Sequence, residues 1–471
     1  MKPLRLIVFL FLTIGIFAAC ENEVNYSANP NDKLYFSADT VRFDTVFTTV
    51  GSSTRLLKVY NRNKQDLLIE NIRLEDHANS GFRINVDGMR GTEFSNVEIL
   101  AGDSIFVFVE VTVNPTSANN PMLIEDHIRF RRAGNEQSVL LEAYGQDAYI
   151  WSKKIIDKDT TLTGEKPFLL KDSIIVEPGA TLTIAQNTKF FFSKNAGLFV
   201  RGTVNAEGTT EQPVVMRGDR TDKMLADIPY DLVSGQWQGV FVDSLSYGNS
   251  FENVQIRNAY YGILFHSSET TQKKAVLKNV IIHNNIADGL SATNCDIEVS
   301  NAQITNSGGA AVRLVGGKYE FLHTTVANHY QWETRRAAAV VIANKRGEDL
   351  FALQNCRFVN SIVDGTQTDE ITLEKSEDDT PFNYLFVNCQ IKSPEKSGDN
   401  FVNVLWSPKE KTFRALNEEN SRIYDFRLDS VSVAINAADR QYSLSLPLDL
   451  KGVSRLSDEN PDLGCYEFVK E

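Results

Sequence analysis

The chain has 471 residues, 42% apolar and 23% charged, which excludes a wholly disordered polymer and suggests about three domains, or two if one is a repeat solenoid. Forty-eight basic against 61 acidic side chains leave a formal charge of −13, which argues against nucleic acid as a partner because backbone binders displace counterions with clustered cations. The five cysteines form no CxxC pair and show no zinc-site spacing, so neither a redox motif nor a structural metal is expected.

The N-terminus carries Lys2 and Arg5, an apolar run from Leu6 to Phe17, and then Ala18, Ala19 and Cys20. This order of charge, short apolar stretch and small residues reads as a signal peptide over 1–19, too short to span the ~30 Å of a bilayer core. Phe17-Ala18-Ala19-Cys20 resembles a bacterial lipobox, with Phe where Leu is commoner, which implies a lipid on Cys20 and anchorage to a membrane. Residues 20–33 are polar and without apolar period, and are expected to be a flexible tether. The early acids of Glu21-Asn22-Glu23 resemble the export signal of Bacteroidetes surface lipoproteins, implying an outer-membrane protein facing the cell exterior, with the periplasmic face as the alternative.

Residues 34–148 alternate short β-rich runs with turn residues. Leu56–Tyr60 and Leu67–Ile69 are expected as two strands around a polar turn, and the run from Asp103 to Val113 as a longer one. In that run Ile105, Val107, Val109, Val111 and Val113 share one face, Phe106 and Phe108 take the other, and Asn114-Pro115 ends the ladder. The segment from Asn61 to Ile72, Ile99-Leu100-Ala101-Gly102-Asp103-Ser104 and the closing Leu141–Gln146 resemble the immunoglobulin-like domains of the ASPM/SPD-2/Hydin type. That resemblance implies a seven-stranded β-sandwich acting as a spacer or adhesive module.

Internal repetition dominates residues 149–471. Six octets align: Phe251–Asn258, Leu277–Asn284, Val299–Asn306, Phe321–Asn328, Leu353–Asn360 and Phe386–Ser393, and their third positions advance by 26, 22, 22, 32 and 33 residues. Positions one, four and six are apolar, apart from Thr324 at the fourth position of one copy, so the third must reset the two-residue phase. Asn tolerates the left-handed backbone such a bend requires. Asn253, Asn279, Asn301, Asn355 and Asn388, with His323 in the same column, are therefore expected to form a structural ladder in a parallel β-helix. Tyr261–Phe265, Asp288–Leu290 and Ala311–Leu314 supply another wall. Ile174–Ile184, Leu198–Thr209 and Gly235–Val240 resemble the opening coils of bacterial right-handed parallel β-helices of the pectate-lyase-like kind. Ala434–Asp439, Asp449, Gly452, Arg455 and Pro461–Glu467 resemble the choice-of-anchor segment that follows such domains, here expected as a C-terminal cap, with Ala437-Ala438 and Cys465 departing from the usual residues. The expected fold is all-β, a sandwich followed by a β-helix.

Outward positions on successive coils become neighbours, which pairs Glu252 with Lys278 and Arg257 with His283. Such a face offers either surface ion pairs or a base beside a charge-neutralising group for polysaccharide cleavage, although no pectinolytic motif accompanies it. The long later intervals imply loops. One carries Tyr330, Trp332, Arg335 and Arg336, suited to sugar stacking, a protein interface or packing on its own coil. Another carries Asp369, Glu370, Glu377, Asp378 and Asp379, which lack the spacing of a known Ca²⁺ loop, so solvated charge and no cofactor are expected, with Ca²⁺ binding as the alternative. Cys356 and Cys389 are expected in one inward column, either bonded or stacked as thiols. Together these features suggest an envelope lipoprotein that binds a glycan or another outer-membrane protein, with a lyase or glycoside hydrolase as the alternative.

Overall fold

Period-two alternation builds the first half of the protein. In the strand Ser104–Val111, Ile105, Val107, Val109 and Val111 are buried while Phe106 and Phe108 lie exposed on the other face, their rings 6.4 Å apart. Arg55–Tyr60 and Phe82–Val86 flank this strand antiparallel in one five-stranded sheet. A second sheet orders Thr40–Phe47, Asn135–Gln146, Met122–Arg132, Leu67–Leu74 and Glu93–Ile99, and the two enclose one apolar core. Leu57 and Leu67 thus belong to opposite sheets, and the polar turn between their strands is a crossover. Buried Asn61 shapes it, its amide donating to the carbonyls of Gln65, Ile99 and Leu100 at 2.8, 3.0 and 3.1 Å.

This computed structural model describes residues 25–77, 79–115, 119–225, 228–417, 421–457 and 459–470, in two compact units, Met1–Asp147 and Ala148–Glu471. The expected leader 1–19 and Cys20 lie outside the described residues. Where described, the expected tether is not loose. The buried Arg132 guanidinium donates to the carbonyls of Ser27, Asn29 and Asp32 at 2.6, 3.0 and 2.9 Å, and Asn135 donates to Pro30. A cation satisfied by three carbonyls of one turn holds that turn in place, since leaving it unpaired when buried is costly. Arg132→Ala should therefore weaken the sandwich by about 2–3 kcal/mol and raise amide exchange over residues 27–34, read by hydrogen–deuterium exchange.

The second unit is a stack of parallel strands in a solenoid, as in a β-helix. Wall 1 runs from Thr160–Leu162 through Thr181–Ala185, Thr203–Glu207, Asn249–Glu252, Ala275–Lys278, Asp296–Ser300 and Gly317–Leu322 to Leu353–Val359. Wall 2 includes Val254–Arg257, Ile281–Asn285, Gln303–Ser307, Thr325–Asn328 and Ile362–Gly365, and joins wall 1 in one nineteen-stranded sheet. Wall 3 is a nine-stranded parallel sheet that includes Leu198–Val200, Val240–Val242, Ile263–Phe265, Leu290–Thr293, Val312–Val315 and Val340–Ala343. Side chains repeat in columns, as with Phe321, Phe358, Phe386 and Phe401, whose successive rings stack 4.3, 5.0 and 5.5 Å apart. Trp237 is fully buried against Phe192 at 4.3 Å and donates its indole N–H to Arg257 O.

The corner between walls 1 and 2 carries the expected bend. Asn253, Asn279, Asn301, His323 and Asn388 have φ of 51, 55, 50, 50 and 49°. Asn355 does not belong there. It lies within the straight strand Leu353–Val359 and donates to Glu320 Oε1 at 2.6 Å, whereas Asn360, at φ 50°, turns the corner. The octet maps onto itself when shifted by five, apolar to apolar and Asn to Asn, so its fifth copy reads equally well in two frames. Phe358 stacking on Phe321 decides between them. The corners therefore advance by 26, 22, 22, 37 and 28 residues, with a further one at Asn403. Cys356 and Cys389 fall out of one column as a result: Cys356 aligns with Tyr319 on wall 1, Cys389 follows the Asn388 corner, and both are free and buried. Asn360→Ala should destabilise the solenoid by about 2–3 kcal/mol through loss of buried hydrogen bonds and a strained φ, and Asn355→Ala by under about 0.5 kcal/mol. Chemical denaturation of the two variants separates the two frames.

The C-terminal segment lies along the flank of the coils and not over their end. Arg455, fully buried, donates to Glu467 Oε1 at 2.5 Å, to Asn301 Oδ1 at 2.8 Å and to Gly464 O at 3.1 Å. Tyr466 bonds Gln303, Cys465 N–H bonds Thr325, and Asp439 and Asn360 exchange bonds at 2.9 and 3.0 Å. Gln303–Ser307 and Thr325–Asn328 are consequently buried on both faces. Burial pushes Glu467 up to about 8 against the pull of Arg455, with Asp462 and Asp449 adding to the rise.

Candidate functional site: an open groove on wall 3

The register brings the expected pairs together. Glu252 lies beside Lys278 in an exposed ion pair of 2.8 Å, and Arg257 beside His283. An exposed pair contributes about 0–1 kcal/mol and marks no site. The Arg257/His283 face is partly covered. Arg257 pairs with Asp231 at 3.3 Å, and Tyr424 and Phe426 pack edge-on over the imidazole at 6.0 and 6.2 Å. His283 Nδ1 lies 2.8 Å from Thr305 Oγ1, and burial, reinforced by the Arg257 charge, lowers its pKa to about 4. The ring is neutral at pH 7. An unfolded imidazole titrates near 6.5, so the unfolded chain takes up the proton first as pH falls. Stability from this residue is full above about pH 7 and falls between about 6.5 and 4, by up to about 3 kcal/mol. His283→Gln should remove that part of the pH dependence, measured as the difference between the two denaturation profiles.

The loop of residues 330–336 does not project as a binding surface. Tyr330 is buried with its hydroxyl 2.9 Å from Ser234, and Trp332 donates to Leu232 O at 2.9 Å beneath the Arg422 guanidinium. Arg335 grips Glu370 through two bonds of 2.7 Å, both side chains being buried, and Arg336 reaches the carbonyl of Ile286. These residues pack the loop on its own coil. The acidic loop is likewise engaged, Asp369 with Ser393 and Lys396 at 2.7 and 2.6 Å and Asp378 with Ser376 and Thr380. Among the described residues no group of three or more His, Cys, Asp or Glu side chains is placed to hold a metal ion, and no helix is long and apolar enough to cross a membrane.

Wall 3 presents a different surface. Its outward column runs Phe199, Phe241, Leu264, Ser291, Arg313 and Val341, residues paired one to the next by the ladder. Phe199 and Phe241 stack at 5.0 Å, and Tyr261 meets Phe241 edge-on at 6.2 Å. Beside them Leu264, Ser291, Thr293 and Arg313 form the floor of an open groove of about 470 Å³, bordered by Tyr261, Asp288 and Glu374. The hairpin of Lys345–Arg346 with Asp349–Leu350 raises one bank, its turn made by Gly347 at φ 63°, and Arg346 reaches Thr293 Oγ1 at 3.4 Å. Asp288 accepts from Arg313 at 2.8 and 3.4 Å and from the Ala310 amide, which orients the guanidinium in the groove. Burial, then Asp288, raises the Tyr261 pKa, so its hydroxyl stays a donor at neutral pH.

Aromatic faces beside fixed polar forks suit a ring that is apolar on its faces and hydroxylated at its rim. This groove was not anticipated from the sequence. The available signal was Arg313 at an outward position of a wall strand, together with the charged turn Lys345-Arg346-Gly347-Glu348-Asp349.

No family model matches the chain. A stretch of 74 residues, 15% of this chain, is 40% identical to part of the protein bark beetle of Drosophila melanogaster, and spans 2% of that protein's length.

Proposed function

We propose that the chain is a lipid-anchored envelope protein, of the Bacteroidetes outer-membrane type and exposed at the cell surface, that binds glycan through the wall 3 groove. In this reading an immunoglobulin-like sandwich carries a right-handed, pectate-lyase-like β-helix that acts as a binding module and not as a catalyst. The observation that carries it is the groove itself, an open concavity lined by Tyr261, Arg313 and Arg346. A solenoid offers repeated, evenly spaced outward positions, which suits an extended polymer. The leader ending at Cys20 supports the membrane anchor. The packing of Tyr424 and Phe426 over half-buried His283, which lowers its pKa to about 4, argues against a lyase or hydrolase working from the Arg257 face.

The test is retention of the chain from Asn22 onward on a panel of neutral and anionic polysaccharides, with and without Ca²⁺, scoring chain shortening alongside. Retention without shortening is expected, and Tyr261→Ala combined with Arg313→Ala should weaken it about tenfold or more, equivalent to ~1.4 kcal/mol. Retention that survives this double substitution places the ligand elsewhere, and retention by no polysaccharide in the panel turns the proposal toward an envelope protein as partner. Cys20→Ala in the full chain should abolish membrane association, scored by fractionation.

A further inference from the structure

The solenoid ends on an unpaired strand. Phe401–Trp406 is the last member of the nineteen-stranded sheet, and its described ladder runs to Leu385–Ile391 alone. An edge strand offers a row of free N–H and C=O groups, and proteins ordinarily cover, charge or interrupt such edges. This one contains neither a charge nor a proline, reading Phe-Val-Asn-Val-Leu-Trp. The described residues of the segment that could have covered it, 413–417, 421–457 and 459–468, lie instead along wall 2 of the preceding coils, held by Arg455 and Tyr466. The last layer of the core is left half-buried, with Phe401, Val404 and Trp406 packed on one side only, and Val402 and Leu405 are 42% and 38% exposed on the outside.

The strand is also self-complementary. Asn403 turns the corner at φ 51° and bonds Asn388, which resets the alternation within the strand. Phe401 points in, Val402 out, Val404 in, Leu405 out and Trp406 in. Laid antiparallel against its own copy, with Phe401 opposite Trp406, Val402 falls opposite Leu405 and Asn403 opposite Val404. Every inward apolar residue of the outer pairs then meets an inward one and every outward residue an outward one. An uninterrupted six-residue alternation could not do this in that register, because residues one and six would point to opposite faces. We infer that Phe401–Trp406 pairs with the same strand of a second copy across a two-fold axis, joining two solenoids end to end into a closed dimer. The two-fold operation returns the same edge to itself, so the contact is isologous and terminates at two copies, and it completes the exposed core layer of each. This inference is independent of the glycan reading.

Sedimentation velocity of the chain from Asn22 onward, which keeps both units entire, tests it across the micromolar range. The expected result is twice the monomer mass. Val402→Lys with Leu405→Lys places like charges opposite one another at both symmetry-related pairs, and should weaken the dimer by tenfold or more. Val402→Lys with Leu405→Glu places opposite charges at the same pairs and should restore it. Both substitutions sit at exposed positions, and unchanged circular dichroism of each variant establishes that the coils persist. A monomer at every concentration, a dimer unaffected by the Lys/Lys variant, or a Lys/Glu variant no better than Lys/Lys would each overturn the inference.

Discussion

At the corners between walls 1 and 2 from Asn253 onward one residue takes a positive φ, a region that costs an ordinary L-residue roughly 1–2 kcal/mol. The chain places Asn253, Asn279, Asn301, His323, Asn360, Asn388 and Asn403 at these corners. Their side chains offset part of the cost by bonding between coils, as Asn301 does to Asn279 at 3.1 Å and Asn403 to Asn388 at 3.1 Å. With the corner fixed, the two-residue period resumes in the correct phase on the next wall, so Val254 and Ile256 are buried as Phe251 is. The rest of the solenoid depends on that reset. Stacked aromatic columns, wall-to-wall ladders and the outward rows all inherit their register from it.

The same corners serve a second purpose. Side-chain amides and carbonyl oxygens at a bend are buried polar groups that need partners. Where the column is incomplete, the C-terminal segment supplies them: Arg455 to Asn301, Ser443 to His323, Asp439 to Asn360. This docking buries both faces of wall 2 over several coils and explains why Gln303, Thr305 and Ser307, polar residues at strand positions, are sealed from water. It also divides the solenoid by exposure. Wall 2 is occupied by the chain itself, leaving the open groove at Tyr261 and Arg313 on wall 3 and the uncovered terminal strand at Phe401–Trp406. These are separate surfaces with different chemistry, one mixed aromatic and charged, the other apolar with free backbone groups.

The aromatic and arginine side chains of the long loops fasten those loops to their coils. Arg335 is a buried fork on Glu370, and Trp332 rests under Arg422. Aromatic and arginine side chains are as effective in anchoring an insertion to a rigid coil as in holding a ligand, since both uses depend on burying a large planar group with its polar edge satisfied. Arg132 repeats the device in the N-terminal sandwich, where it pins Ser27, Asn29 and Asp32.

The strand content, the alternation of Ile105 to Val111, the bend column and the stacking of Phe251, Leu277, Val299 and Phe321 were all legible in the amino-acid order, because each follows from a local period of two and from one residue type that tolerates a positive φ. The pairing of Arg257 with His283 was legible too, because the two residues hold the same position in successive octets. Local pattern failed wherever it was degenerate or where distant segments compete for one surface. The octet that repeats under a shift of five left Asn355 and Asn360 equivalent until Phe358 found Phe321. The covering of His283 by Tyr424 and Phe426, residues more than a hundred positions away, has no local signature at all. Periodicity specifies which face of a strand is apolar; only the tertiary structure decides what that face, or its opposite, is packed against.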